Sequence, residues 1–230
     1  YDRQRSRVAL GDKVRKRKAI PIGPLVMLDQ ERCILCARCT RFDEEVTKTH
    51  ELAIFEGGNQ CEVALAPGKK LDNPYAGNVI DICPVGALTS RDFRFRARVW
   101  YLRETPSVCG ACADGCNIEV FHREEHIYRF QPRHNPDVNQ YWMCDAGRLS
   151  FHALEGEGRL LEVLSRADDH FAVTQWPVAL DTAASRLREE PRGAVALVVS
   201  ARAPNEELYL LRRLAARLGA PLAGVSWSPP

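Results

Sequence analysis

Eight of the nine cysteines fall into two sets of four. The first is Cys33, Cys36, Cys39 and Cys83, spaced C-x2-C-x2-C with a distant fourth that is followed by Pro84. The second is Cys109, Cys112, Cys116 and Cys144, spaced C-x2-C-x3-C with the fourth 28 positions on. Three thiolates crowded into a short loop, plus one from far along the chain, suit a cubane [4Fe–4S] cluster. The loop wraps one side of the cube and the remote thiolate closes the other. Zinc also takes four cysteines, but usually as two C-x2–4-C pairs on facing hairpins. Three plus one in both sets favours iron–sulfur over zinc, and either over eight free thiols without a metal. In bacterial two-cluster ferredoxins the fourth cysteine lies four positions after the third and ligates the other cluster. Here that position is Asp43, so Cys83 is expected to join its own triplet.

The flanking elements must bring these residues together. TRFDEEV after Cys39 reads as a helical turn, and CPVGALTS reopens helix or turn structure. Residues 52–80 look loop-rich, with GG, PGKK and DNPYAGN as turn signals. From Arg94 to Leu102 apolar and basic residues roughly alternate, as in an exposed strand. NIEVFH and HIYRFQP flank a short REE turn and read as a hairpin. Gly110 and Gly115 are expected to let backbone amides approach the second site, and Pro84 to end the turn after Cys83. Beyond Gly156, VALDTAASRLREE is an amphipathic helix and GAVALVVS a buried strand. PNEELYLLRRLAARLG is a second helix, with Leu208, Leu211, Leu214 and Leu218 on one face and Gly219 at its end. That run is one unit of a layered, mostly parallel sheet. One such strand cannot cover both its faces, so this part reads as the beginning of a domain.

The expected fold class is α+β. A basic arm or linker (1–30) precedes a loop-rich first cluster region (31–95). A small antiparallel β cluster domain (96–155) and the start of an α/β domain (156–230) follow. With 45% hydrophobic and 27% charged residues and a net charge of +2, the chain reads as globular, with no global attraction to polyanions. No run approaches the roughly 18 apolar residues of a membrane span. The N-terminus lacks the apolar stretch of a secretory signal, which favours metal ligation over disulfides. The first residue is Tyr, consistent with processing or with a segment of a larger protein.

Other features carry less. KVRKRK at 13–18 lacks the interleaved aromatics of a nucleic-acid surface and reads as a solvated or partner-docking linker. Cys61 stands alone and reads as a small buried apolar residue. His122 and His126 match H-x-x-E-H, a zinc pattern that works only on a helix, whereas this segment reads as a turn. GKK at 68–70 lacks the surroundings of a phosphate loop. No catalytic grouping of Ser, His, Asp or Cys can be argued.

ERCILCARCTRFDEEV, GNVIDICPVGAL, PSVCGACADGCNIEV and NQYWMCDAGR, in that order and spacing, resemble the large iron–sulfur subunit of bacterial NADH:quinone oxidoreductase, respiratory complex I. The resemblance implies two [4Fe–4S] clusters. One, on the main electron relay, would be held by Cys33, Cys36, Cys39 and Cys83. The other, away from it, would be held by Cys109, Cys112, Cys116 and Cys144. It implies an electron carrier between NADH-reduced flavin and quinone, on the cytoplasmic face of the bacterial inner membrane. The implied partners are a flavin- and NADH-binding subunit, a [2Fe–2S] subunit and a ferredoxin-like two-cluster subunit. No nucleic acid and no membrane span of its own are implied. The chain resembles the central portion of that subunit. It lacks the N-terminal [2Fe–2S] and histidine-ligated [4Fe–4S] sites and most of the molybdopterin-oxidoreductase-like domain. The alternative is a formate dehydrogenase-type molybdenum or tungsten catalytic subunit. Those proteins typically place a lysine two residues after the last cluster cysteine, where this chain has Ala146. A zinc-stapled interaction module is the third reading.

Overall fold

The apolar stretch before the first cysteine loop is strand-forming. Val26 and Leu28 point into the core, so Val26–Leu28 (β2) pairs antiparallel with Ile20–Pro21 (β1) and Leu88–Ser90 (β5). The structure, a computed structural model, describes residues 9, 14–156, 158–167, 169–191, 193–200 and 203–225. Most of the basic arm as far as Lys13 lies outside the described residues. Its described part is held by its own chain. Lys16 donates to the Cys61 carbonyl, and Lys18 pairs with Glu31 at 2.6 Å.

The chain divides into two compact units, 1–109 with 114–151, and 110–113 with 152–230. In the first, the helical turn expected over TRFDEEV after Cys39 falls in α1 (Arg38–Phe42), which starts one residue before Cys39, and in a wider π turn, Asp43–Thr47. The stretch read as loop-rich contains more structure than its composition suggests. Leu52–Phe55 (β3) and Glu62–Leu65 (β4) form a hairpin, and Asn78–Ile82 is a helix, α2. Leu52 and Val63, with half-buried Leu65, anchor that hairpin in the core, and packing decides a strand where local preference is weak. These elements close around a core that includes Ile22, Val26, Leu28, Phe42, Leu71 and Val79.

Asp43, where a two-cluster ferredoxin has cysteine, is a structural carboxylate. It is 1% exposed. Its oxygens accept hydrogen bonds from the Thr49 hydroxyl (2.6 Å), the Leu52 amide (2.8 Å), the Thr47 hydroxyl (3.1 Å) and the Glu51 amide. It therefore fixes the turn between α1 and β3.

The strand expected over 94–102 does not form. Residues 91–96 make turns, with Arg94 N–H on Ser90 O at 2.9 Å and Phe93 N–H on the Ser90 hydroxyl at 3.2 Å. A 3-10 turn follows at Val99–Tyr101. Local hydrogen bonds to a serine compete with extension, so alternation alone misleads. The strand starts later, at Arg103–Val108 (β6). It pairs with Asn117–Arg123 (β7), which pairs with His126–Pro132 (β8) in an antiparallel sheet. β7 and β8 are the expected hairpin, turning at Glu124 and Glu125 with positive φ. His122 and His126 thus lie on strands.

In the second unit, Leu164–Ala167 (β9) and His170–Val173 (β10) form a hairpin. Trp176–Glu189 (α4) and Asn205–Leu218 (α5) are the two expected helices, and Gly219 closes α5 in the left-handed conformation at φ 63°. Leu197–Ser200 (β11) and Leu222–Val225 (β12) pair in parallel across α5. The strand is shorter than expected and not buried, with Val198 68% exposed. Of the α5 face, Leu208, Leu211 and Leu218 are half-buried around buried Ala215, while Leu214 lies outside that stripe.

Replacing Asp43 with Ala leaves two buried amides unpaired. It is expected to cost about 2–4 kcal/mol in urea unfolding, with Asp43→Asn costing less. A loss below about 1 kcal/mol for the alanine variant would rule out this role.

Candidate metal centres

The loop from Cys33 to Cys39 is held in an unusual backbone path. Leu35 (φ 55°) and Ala37 (φ 59°) both take left-handed conformations without being glycine. Such outliers persist only where surrounding structure over-determines them. Here they curl the loop, so that Cys33 and Cys36 precede α1 and Cys39 lies within it. Cys83 arrives at the C-terminal end of α2. Its ψ of 111° suits a residue before proline, and Pro84 cannot continue the helix.

These four thiols line one small cavity with Leu28, Val63 and Leu88. Cys39 is buried and the other three half-buried. Burial, and next the neighbouring Cys33 thiol, push the Cys39 thiol up to about 11. The Leu35 amide donates to Cys33 Sγ at 3.4 Å. The donor set is all sulfur, largely dry, and supplied with an amide donor. That fits an iron–sulfur cluster, whose potential is tuned by amide hydrogen bonds and burial. Among the described residues no three His, Cys, Asp or Glu side chains converge as a single ion requires.

In the second set, Cys109 and Cys144 face each other across Gly147. A Cβ on Gly147 would lie 3.0 Å from Cys109 Sγ and 3.4 Å from Cys144 Sγ. The Gly147 amide donates to Cys144 Sγ at 3.3 Å. Cys116 accepts at its carbonyl from the Cys109 amide at 2.8 Å, and Gly115 turns the intervening loop at φ 60°. Cys112 is exposed and belongs to the second unit. The glycine needed for close approach is therefore Gly147. A Cβ on Gly110 would meet open space. Cys61, expected to be buried, is half-buried at the end of a 3-10 turn between β3 and β4.

A polar network missed in the sequence links the two sets. Asp145–Leu149 (α3) begins one residue after Cys144. From it Arg148, 8% exposed, reaches back to α2 and pairs with Asp81 Oδ2 at 2.6 Å. Gln131 donates to the other Asp81 oxygen at 2.7 Å. Asn78, fully buried, donates to the Met143 carbonyl at 2.9 Å and accepts from the Met143 amide at 3.1 Å. Asp145 accepts from the Gly77 amide at 2.8 Å, and its own amide donates to Pro74 O at 2.7 Å. Burial nevertheless holds its carboxyl up to about 6, outweighing the Gly77 bond and the Arg148 charge. That Arg148 contact, at 3.9 Å, is an ion pair without a hydrogen bond.

Likeness to known proteins gives the class. Residues 23–89 match the family model described as NADH-quinone oxidoreductase subunit 3, ferredoxin-like domain. Residues 102–154 match the molybdopterin oxidoreductase Fe4S4 domain. The chain is an iron–sulfur segment that joins these two kinds of domain. Among its relatives is an NADH-quinone oxidoreductase subunit of Streptomyces coelicolor, 38% identical over 89% of this chain and 24% of the relative. NADH-quinone oxidoreductase subunit 3 of Thermus thermophilus is 37% identical over 87% and 25%. The mitochondrial NADH-ubiquinone oxidoreductase 78 kDa subunit of Candida albicans is 36% identical over 95% and 30%. The chain is similar to these NADH-quinone oxidoreductase subunits, and spans about a quarter of the length of the curated relatives it matches.

Replacing Arg148 with Met leaves Asp81 and Asp145 buried without their cation. It is expected to lower unfolding free energy by about 3–5 kcal/mol. Arg148→Lys should recover only part, because a single ammonium cannot reproduce the guanidinium fork. Equal stability of all three proteins in chemical denaturation would show that the network is not structural.

Proposed function

We propose that this chain is an electron-relay segment of an NADH:quinone oxidoreductase. In this reading it carries single electrons between NADH-reduced flavin and quinone. Cys33, Cys36, Cys39 and Cys83 hold one [4Fe–4S] cluster, and Cys109, Cys112, Cys116 and Cys144 hold a second. The observation that carries the reading is the gathering of Cys83 with the three loop cysteines around one apolar cavity. Bound there, an iron–sulfur cluster supplies one-electron redox chemistry. The chain's own part is to hold four thiolates in place, exclude water with Leu28, Val63 and Leu88, and donate amides from Leu35 and Gly147. The first cluster region is assigned to residues 31–95 and the second to 96–155, after the basic arm (1–30) and before the opening of the α/β domain (156–230).

The partners in this reading are the flavin- and NADH-binding subunit, a [2Fe–2S] subunit and a two-cluster ferredoxin-like subunit. The assembly sits at the cytoplasmic face of the inner membrane. Among the described residues no helix is long and apolar enough to cross a membrane. The formate dehydrogenase alternative is not favoured, because the relatives are NADH–quinone and NADH–ubiquinone oxidoreductase subunits and Ala146 stands where lysine is expected.

The test is made in the anaerobically purified complex. Cys36→Ser and Cys112→Ser should each lower iron by about four per complex and remove a different low-temperature EPR signal. NADH-driven quinone reduction should collapse in the first variant and fall less in the second. Full turnover with the Cys36-dependent signal absent would overturn the relay role. Gly147→Ala, which crowds Cys109 Sγ, should lose the second signal and keep the first, whereas Gly110→Ala should keep both. Identical spectra for these two glycine variants would refute the Gly147 assignment.

A further inference from the structure

Beside the first site lies a second, larger cavity of about 440 Å³ that plays no part in thiol ligation. Its base is apolar, with Leu25, Ile80 and Leu149 in its wall. Its rim is the segment that failed to become a strand. There Phe95 is 88% exposed and Trp100 74%. Four arginines (Arg91, Arg94, Arg96 and Arg98) fall in eight residues, against one acid, Asp92, which already pairs with Arg96 at 3.5 Å. Arg94 and Arg98 lie over the rings of Phe95 and Trp100 at 4.7 and 5.8 Å from the centroids. These contacts keep the rings and cations together as one amphipathic surface.

The cavity wall contains a more specific feature. Arg129 is sandwiched between Phe93 and Phe121, 4.6 and 4.1 Å from the ring centroids. Its Nε is buried and has no hydrogen-bond partner. Burial pulls its pKa down; the Asp81 charge offsets this in part and Arg148 adds to it. Arg129 lines the cavity, and a carboxylate is the group that pairs a guanidinium with charge as well as hydrogen bonds. Exposed aromatic and arginine side chains beside an apolar pocket are the composition of an interface centre.

We propose that this cavity and its 93–101 rim dock an acidic segment of a neighbouring protein subunit, with an apolar side chain in the pocket and a carboxylate on Arg129. The inference rests on reading the chain as part of a multi-subunit oxidoreductase. Charge complementarity selects the occupant. The rim is basic and Arg129 in the wall is cationic, so an acidic partner gains affinity where a basic one is repelled.

The experiment uses the assembled complex and the separately expressed full subunit. Hydroxyl-radical footprinting should show Trp100 and Phe95 oxidised about tenfold or more slowly in the complex than in the free subunit, as for residues at an interface centre. Equal rates would overturn the proposal. So would protection already present in the free subunit, which would mean that its own chain covers the rim. A photo-crosslinker at Trp100 should capture one neighbouring subunit through a peptide rich in Asp or Glu, and capture of a peptide without acids would refute the charge argument. Arg94→Glu with Arg98→Glu should weaken retention of that neighbour in salt about tenfold. Unchanged salt resistance would refute the same argument. Iron and EPR signals are measured on each preparation. Intact signals with an unprotected Trp100 sink the docking surface alone, whereas missing signals sink the cluster reading whatever the footprint.

Discussion

The ion pair between Arg148 and Asp81 is the constraint on which the rest of the first unit depends. Asp81 lies two residues before Cys83, and Arg148 lies four residues after Cys144. One 2.6 Å contact therefore ties the remote cysteine of one set to the remote cysteine of the other. The remote thiolate is the hard part of a three-plus-one site. A loop can place its own three cysteines by local turns, but the fourth must be delivered by the fold. Asn78 reinforces the link by pairing with both backbone groups of Met143, as a neighbouring strand would. Buried ion pairs seldom add net stability over apolar packing, so the value of this one lies in fixing where two chain segments meet.

The cost of bringing these segments together is visible nearby. Leu35 and Ala37 hold left-handed backbone conformations that non-glycine residues usually avoid, in the loop that carries three thiols. The turn that follows is stabilised by Asp43, whose two oxygens take four donors. Two glycines answer crowding. A Cβ on Gly77 would come within 2.6 Å of both Asp145 Oδ1 and Arg148 Nε, and one on Gly147 would press on two sulfurs. Strain, satisfied carboxylate and absent side chain are three solutions to one demand: backbone and polar atoms must come close where water is excluded.

How legible this was in the sequence depends on the range of the forces involved. The role of Pro84, α4, α5 with its Gly219 cap, and the β7–β8 hairpin all rest on local spacing, and they could be read. The β3–β4 hairpin could not, because Ala53, Glu62 and Ala64 carry weak strand preference and Leu52, Val63 and Leu65 are held by packing against the core. At five residues α2 is too short to show a helical period. The 94–102 alternation misled because serine-capped turns satisfied the same backbone groups. The Arg148 network was invisible because its members stand up to 70 positions apart, and any one of them looks like an ordinary surface charge. The same limit hid Gly147, although a glycine three residues after a ligand-type cysteine is itself a local signal of close approach.

Two arginines in the wall of one cavity separate structure from recognition. Arg148 is surrounded by acceptors: Asp81 at 2.6 Å, the Phe130 carbonyl and Asn78 at 3.4 Å, and the Asp145 charge at 3.9 Å. Its charge is neutralised within the fold, although its Nε, like that of Arg129, is buried without a hydrogen bond. Arg129, in the same wall, has two aromatic faces and a buried Nε without an acceptor. Ring faces offset some of the charge but accept no strong hydrogen bond in the guanidinium plane. A fold selected only for stability would replace that side chain with an apolar one, since desolvating an unsatisfied cation opposes folding. Its place in the cavity wall next to exposed Phe95 and Trp100 therefore suits an acidic group that arrives from outside this unit.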